Sequence, residues 1–141
     1  MAQLSRAVAA LRIVGDDLVP DEVTRLLGAD PSTAYARGDE IPSKHGATRV
    51  AKLGFWSCTG PATEPADIDA QVTELLQRLN PDLDVWQRLA EKFHIDLFCG
   101  WFMENLNEGI EISPGTLMAL AQRRITLSLD IYDYEDEPNE A

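Results

Sequence analysis

The sequence predicts an α+β fold in which a largely antiparallel sheet of four to five strands carries its helices on one face. Three observations support this prediction. Residues 7–14 and 125–132 alternate between two sets of side chains, which is typical of strands. Between them, several stretches place apolar residues at helical spacing behind a proline or an aspartate. The resulting order is β-α-β-α-β-β-α-β, and its last six elements, from residue 50 onward, match a ferredoxin-like βαββαβ core preceded by an extra β-α unit.

The first half of the chain supplies two of these strands and two helices. After the first strand, Pro20 suits the first position of a helix that Gly28 ends. Residues 29–49 are punctuated by proline and glycine, and they read as a long loop that could lie across one face of the sheet. A second strand is predicted at residues 50–58, and apolar residues at helical spacing predict a helix over residues 65–79.

The second half is built around its most apolar stretch. A helical segment at residues 83–93 leads into residues 94–102, which concentrate large apolar side chains and are predicted to form the central strand. Ile110 and Ile112 predict a short strand that returns as a hairpin. Ser113 and Pro114 then begin a helix, and the last strand follows it.

Length and charge restrict the class of protein. The chain has 141 residues, which suits one domain at residues 1–133 followed by an acidic tail at residues 134–141. The formal net charge is −12, which disfavours nucleic acid and membrane partners and favours a basic protein partner. No leader or membrane-spanning segment is recognisable, so a cytoplasmic location is expected. Cys58 and Cys99 fall in predicted strands, where we expect them to be reduced and buried.

The sequence contains no motif that assigns a reaction. No phosphate-binding loop, nucleophile elbow or metal-ligand spacing occurs, so no cofactor, metal site or catalytic residue is predicted. Enzymatic activity is left open, because Asp96 and Asp130 could pair as two carboxylates on neighbouring strands. With Arg12 beside them, such a pair would form a small enzyme or ligand site.

The stronger candidate is a binding surface on the sheet face opposite the helices. Rigid aromatic side chains mixed with charges of both signs are typical of protein-binding faces. We predict that this face displays Arg12, Lys52, Trp56, Asp96, Phe98, Asp130 and Tyr132. The alternative is that residues 29–49 cover this face and that its charges pair internally.

Asp96 is the residue that most needs a partner. It lies between Ile95 and Leu97 in the most apolar stretch of the chain, where a carboxylate must be hydrogen-bonded or ion-paired. Arg12 lies in the middle of the first strand, and its planar guanidinium suits a carboxylate. We therefore predict a contact between Arg12 and Asp96, which Asp130 could share.

Six short phrases occur in order along the chain. They are Gly15-Asp16-Asp17-Leu18-x-Pro20, Arg37-Gly38-Asp39, Gly54-Phe55-Trp56-Ser57, Asp96-Leu97-Phe98-Cys99-Gly100-Trp101-Phe102, Ile112-Ser113-Pro114 and Leu129-Asp130-Ile131-Tyr132. Together they resemble the bacterial domain of unknown function 4279 family, from about Leu11 to Asp133. The resemblance implies no activity and no site residue, and it leaves open a role as an immunity protein of a toxin system.

These observations favour a non-catalytic binding module, which uses the open sheet face for a protein partner or for a second copy in a homodimer. One alternative is a toxin-neutralising immunity protein, whose acidity would complement a basic toxin. The other is the small enzyme or ligand binder centred on Asp96, Asp130 and Arg12.

The acidic tail generates the first prediction. Residues 134–141 hold almost no apolar side chain after Tyr134, so they are predicted to be disordered. Truncation after residue 133 should change the thermal midpoint by no more than a few degrees, as measured by circular dichroism. A drop of many degrees would show that the tail docks on the domain.

Overall fold

Nine strands and four helices occur in the computed structural model, which describes residues 2–133. The strands are β1 (Ala2–Gln3), β2 (Arg6–Gly15), β3 (Thr33–Tyr35), β4 (Glu40–Pro42), β5 (Thr48–Val50), β6 (Gly54–Thr59), β7 (His94–Phe102), β8 (Glu108–Gly109) and β9 (Thr126–Tyr132). The helices are α1 (Pro20–Leu27), α2 (Ile68–Gln77), α3 (Leu83–Lys92) and α4 (Pro114–Gln122). The predicted acidic tail lies outside the described residues.

The fold is α+β, and its main sheet has five strands in the order β3-β6-β2-β7-β9. Strand β2 lies at the centre and pairs antiparallel with β6 on one side and with β7 on the other. Strand β9 joins the sheet parallel to β7. Two small sheets complete the fold, because β4 pairs with β5 and β1 pairs with β8.

The sheet is therefore mixed, and the prediction of a largely antiparallel sheet is wrong. The expected hairpin after β7 does not form, since Ile110 and Ile112 pack partly buried against the core outside any strand. The chain instead crosses over through α4 and returns parallel to β7, as a strand-helix-strand connection allows. The ferredoxin-like core is not confirmed, and the first strand occupies the middle of the sheet instead of being an addition to it.

The hydrophobic core lies between the sheet and the helices on one face. Alternation in β2 turns Ala7, Ala9, Leu11 and Ile13 towards this face, and each is almost fully buried. Buried residues from all four helices join the same cluster. Burial of such apolar area is the main stabilising contribution to the fold. None of the helices within residues 2–133 has the length and apolar character that a membrane crossing requires.

Capping residues mark three helix starts, but α2 spans only Ile68–Gln77, so the predicted helix over residues 65–79 is too long at both ends. Asp67, Asp82 and Ser113 each accept a hydrogen bond from a backbone N–H in the first turn of the helix that follows. Gly28 ends α1 with a φ of 72°, a left-handed conformation that glycine adopts without a Cβ penalty.

Residues 29–49 do not form one long loop. Strand β3 extends the main sheet as its edge next to β6, and β4 and β5 form a separate hairpin. The regular parts of this segment thus lie at the sheet edge and in that hairpin. The other half of the alternative, in which charges of the sheet face pair internally, is confirmed for Arg12 and Asp96.

Glu108 holds the turn after β7 against the start of the chain. Its Oε1 accepts hydrogen bonds from the backbone N–H groups of Ser5 and Glu104, both at 3.1 Å. Its Oε2 accepts from Ser5 Oγ at 2.7 Å and from Asn105 Nδ2 at 2.9 Å. Burial raises the pKa of Glu108, but these hydrogen bonds outweigh it and leave the pKa below its ordinary value.

The lowered pKa of Glu108 predicts a specific loss of stability in acid. A carboxyl group with a lower pKa in the folded state stabilises the fold above the pKa of the unfolded chain, and that contribution is lost as pH falls through the folded pKa. We expect Glu108→Gln to lower the free energy of unfolding at pH 7. Between about pH 5 and about pH 3, the free energy of unfolding of this variant should fall by less than that of the wild type. Urea unfolding at several pH values measures this, with the exposed Glu111→Gln as control. Parallel pH curves for wild type and Glu108→Gln would contradict the assignment.

Candidate binding face on the open sheet

The sheet face opposite the helices is formed by alternate residues of five strands. The register places Arg12 of β2 between Ser57 of β6 and Asp96 of β7, and it places Phe98 beside Ser128 of β9. Residues of one parity therefore share this face. We call it the open face, and it consists of Thr33, Tyr35, Phe55, Ser57, Thr59, Arg6, Val8, Ala10, Arg12, Val14, His94, Asp96, Phe98, Gly100, Phe102, Thr126, Ser128, Asp130 and Tyr132.

The predicted contact between Arg12 and Asp96 is confirmed. Arg12 Nε donates to Asp96 Oδ1 at 2.9 Å, and Arg12 Nη2 donates to Asp96 Oδ2 at 2.6 Å. Ser128 Oγ also donates to Asp96 Oδ2 at 3.0 Å. Both carboxylate oxygens are thus occupied, which is how a buried charge is made tolerable.

Arg12 is partly exposed to solvent, whereas its partner Asp96 is buried. Its side chain is 34% exposed, whereas that of Asp96 is only 7% exposed. The guanidinium carbon lies 4.3 Å from the centre of the Phe98 ring, in the geometry of a cation–π contact. The hydrogen bond to Asp96 raises the pKa of Arg12, so the guanidinium stays charged. The charges at the centre of the open face are therefore largely committed to each other.

A second cluster lies towards the far end of β7. The rings of Phe102 and Tyr132 stack with centroids 4.9 Å apart and planes 8° from parallel. The guanidinium carbon of Arg6 lies 5.0 Å from the centre of the Phe102 ring. Tyr132 donates its hydroxyl to Asp130 Oδ2 at 2.7 Å, which raises the pKa of Tyr132.

A third cluster lies at the opposite end of the face. Tyr35 and Phe55 stack with ring centroids 5.3 Å apart and planes 23° from parallel. Sequence reasoning missed Arg6, Tyr35, Phe55 and Phe102 as members of the face. The parity of Phe98 and Arg12 could have identified Phe102 and Arg6, but no sequence signal pairs β3 with β6.

Two predicted members of the face lie elsewhere. Trp56 is fully buried on the helix side, where its Nε1 donates to Thr24 Oγ1 at 3.0 Å. It lies opposite Ile13 in the sheet, so its side chain points to the same face as the core residue Ile13 and away from the face of Arg12. Lys52 precedes β6 in a bend and is exposed, because the strand begins only at Gly54. Because Phe55 and Trp56 occupy successive positions of β6, the sequence did not show which side of this strand faces the helices.

Asp130 does lie on the open face, yet it does not join Asp96. The register sets Asp96 beside Thr126 and Asp130 beside Gly100, so the two carboxylates are four residues, about 13 Å, apart along the strands. Asp130 therefore does not share Arg12, and Ser128 takes that place. The carboxylate pair that hydrolytic chemistry would need is not formed, so this expectation is wrong.

The two cysteines are poor nucleophiles. Both are unpaired and buried, as predicted. Burial, together with the nearby Asp96 charge, raises the pKa of Cys99 to about 12. Burial also raises the pKa of Cys58, against a smaller opposite effect of Arg78. Because the thiolate is the reactive form, neither side chain suits covalent catalysis.

Three cavities formed by described residues lie away from the centre of the open face. The largest, about 600 Å³, lies between β1, the start of α2 and residues 109–111. One of about 330 Å³ adjoins Arg124 and the start of β7, and one of about 150 Å³ lies between α1 and α3. None of these three is lined by Arg12, Asp96 or Phe98. Within residues 2–133, no three His, Cys, Asp or Glu side chains come together as a metal site.

Comparison with known proteins finds one matching protein family. Residues 4–134 match the model of a family described as Domain of unknown function (DUF4279). No curated protein and no solved structure matches the chain. The match covers nearly the whole domain, and its description names no reaction, ligand or partner.

The pairing of Arg12 with Asp96 predicts a large effect of a small substitution. Asp96→Asn leaves a neutral amide beside a guanidinium and should lower the free energy of unfolding by about 3 kcal/mol, the low end for a broken buried pair, because Arg12 partly reaches solvent. Asp130→Asn is the control, since its carboxylate accepts one described hydrogen bond from Tyr132, and it should cost about 1 kcal/mol or less. Urea unfolding measures both.

A double variant shows how much of the lost stability comes from leaving one charge of the pair without a partner. Replacing both Arg12 and Asp96 by apolar residues, as in Arg12→Met with Asp96→Leu, should cost far less than the sum of the single changes. An Asp96→Asn variant as stable as the wild type would show that the pair does not stabilise the sheet.

Proposed function

The chain belongs to the domain of unknown function 4279 family, and we propose that it is a non-catalytic binding module that takes a protein partner on its open face. One observation carries this proposal. Two aromatic stacks and two guanidinium–aromatic contacts lie together on a sheet face that none of the four helices covers. Arginine and aromatic residues are the side chains that contribute most to protein–protein binding.

The open face is held in place before any partner arrives. Tyr35 stacks on Phe55, Phe102 on Tyr132, and Arg12 is fixed by two hydrogen bonds and by Phe98. Side chains that are already ordered lose less conformational entropy when they bind. An aromatic surface whose side chains are already ordered supports the docking of a folded protein surface.

Charge indicates the character of the partner. Arg6 and Arg12 on the open face are balanced by Asp96 and Asp130, so direct contact would rest on aromatic and apolar groups. The whole chain nevertheless carries a net charge of −12. A field of that sign attracts a basic protein and disfavours nucleic acid and anionic membrane. Neutralisation of a basic toxin would be one form of this binding.

The geometry gives less support to an enzyme or a small-ligand site. A general acid or base must have a free oxygen or nitrogen within reach of the substrate. Both oxygens of Asp96 are occupied by Arg12 and Ser128, and the second carboxylate lies far along the strand.

A blocking substitution tests the proposal. Ala10 lies half-buried near the middle of the open face, opposite Phe98 and Thr59, so Ala10→Arg adds bulk without removing any stack. Thr59→Arg, at an exposed position of the same face, is a second variant in case the first is poorly folded. Thr73→Arg on the exposed side of α2 is the control, since it adds the same side chain and charge on the helix side.

Proteins from the native host are captured on each variant and identified by mass spectrometry, and a candidate is then purified and titrated by calorimetry. We expect a protein that binds the wild type and Thr73→Arg but binds the blocked variants about tenfold or more weakly. A partner whose Kd is the same for Ala10→Arg, Thr59→Arg and the wild type would overturn the proposal.

A further inference from the structure

The outer edge of β9 is a long strand edge without a described neighbour. Strand β9 has seven residues and pairs with β7 on one side, and no other strand within residues 2–133 pairs with its other side. The opposite edge of the sheet, β3, has only three residues. Proteins usually protect long edges with proline, lysine, bulges or shortening, because a free edge pairs with other chains. The sequence of β9, Thr-Leu-Ser-Leu-Asp-Ile-Tyr, contains neither proline nor lysine, and its one charged residue is Asp130.

The backbone groups that face this edge can be identified. Met103 N donates to Tyr132 O at 3.1 Å, so the backbone of Tyr132 faces β7. Because the N–H and C=O of one residue point to the same side and alternate along a strand, the backbone groups of Leu127, Leu129 and Ile131 face outward. The backbone N–H and C=O groups of these three residues can therefore form hydrogen bonds with another strand.

Large apolar side chains are exposed on β9 and on the helix that leads into it. Leu129 is 44% exposed and Ile131 is 55% exposed, although their parity places them on the helix side of the sheet. Helix α4, which packs against β9, exposes Leu117 and Met118 as well. These are four of the nine large apolar side chains that are exposed within residues 2–133. Exposed apolar side chains on an unpaired edge strand are typical of an interaction surface.

We propose that a second copy of this chain occupies the edge, with the two β9 strands antiparallel about a two-fold axis at Leu129. Leu129 then faces its own counterpart, and Leu127 faces Ile131 of the second copy. All three outward-facing residues find outward-facing partners, which would form about six backbone hydrogen bonds. The apolar side chains of both copies meet on the helix side.

Asp130 disfavours one neighbouring register. If the axis lay one residue further along, at Asp130, the two Asp130 carboxylates would face each other directly, which destabilises a strand pair. With the axis at Leu129, Asp130 faces the Ser128 hydroxyl of the second copy. A shift of the axis by one residue in this direction therefore replaces a neutral contact by a repulsive one.

Charges beyond the strand ends complement each other in the same arrangement. Arg123 and Arg124 precede β9, whereas Asp133 follows it. These opposite charges are separated by a strand of seven residues, about 23 Å, within one chain. An antiparallel partner brings its acidic end to the basic end of the other copy. Residues 134–141 are a poor alternative occupant, because they contain Pro138 and little that is apolar.

The dimer is independent of the partner proposed for the open face. The two-fold axis stands perpendicular to the sheet, so the sheets of both copies become continuous and both open faces lie on the same side. Ala10→Arg, in β2, would leave the dimer intact.

Sedimentation equilibrium of the full chain at tens of micromolar tests the inference. We expect the wild type to sediment at twice the 15.6 kDa mass of one chain. Leu129→Lys and Ile131→Lys should each sediment as a single chain, because an edge lysine blocks pairing. Leu106→Lys is the control, since Leu106 is 81% exposed and lies outside β9, and it should remain a dimer. Circular dichroism establishes that each variant is folded.

A cross-link tests the register. Leu129→Cys treated with a short bismaleimide should join two chains, because residues facing each other in a hydrogen-bonded pair lie about 5.5 Å apart. Leu106→Cys should not, and Cys58 and Cys99 are buried and give little background. A wild type of one-chain mass overturns the inference, as does a Leu129→Lys variant that stays a dimer. A full chain of one-chain mass that dimerises after truncation at residue 133 would identify the tail as the occupant instead.

Discussion

The ion pair between Arg12 and Asp96 sits in the ladder on which the whole sheet is built. Strands β2 and β7 pair over nine positions, the longest ladder within residues 2–133, and Arg12 lies directly opposite Asp96. A slip of one residue would turn every side chain of one strand to the other face. It would also leave Asp96 as a buried charge without a partner, at a cost of several kcal/mol. The pair therefore stabilises one register against its neighbours, in addition to any stabilisation of the strands themselves.

The same register divides the sheet into two faces with different roles. One parity of β2 carries small and branched apolar residues, and the four helices cover it. The other parity carries Arg6 and Arg12, which bring their guanidinium groups over Phe102 and Phe98. Long charged and aromatic side chains can cover one another without a helix, because their apolar parts pack while their polar ends reach water. The side chains of the open face are therefore half-buried by one another, although no helix within residues 2–133 packs against them.

The mixed topology has a consequence at the edge of the sheet. An antiparallel hairpin after β7 would have placed a short strand at this edge, but the crossover through α4 delivers the seven-residue β9 instead. Helix α4 buries Leu120, and Ile125 is buried just before β9, whereas Leu129 and Ile131 further along the strand remain exposed. A parallel edge strand needs cover on both faces more than an antiparallel one does. The apolar edge of β9 thus follows from the connection.

The sequence by itself determined the local elements and one long-range contact. Residues 94–102 form a strand with the predicted bounds, and α1 and α4 begin at Pro20 and Pro114, because alternation, proline and capping residues act within a few positions. The contact of Arg12 with Asp96 was predictable because each is a charge in an apolar strand, and a buried charge requires an opposite one.

Only the tertiary structure decided which strands pair and which faces are covered. Alternation shows that two residues share a face, but it does not show which face receives the helices, so Trp56 was assigned to the wrong side. Strand β3 has three residues, too few for a periodic signal, and it exists because β6 offers it an edge. The parallel return of β9 depends on packing of α4 against the sheet, which is a property of the whole core and not of any segment.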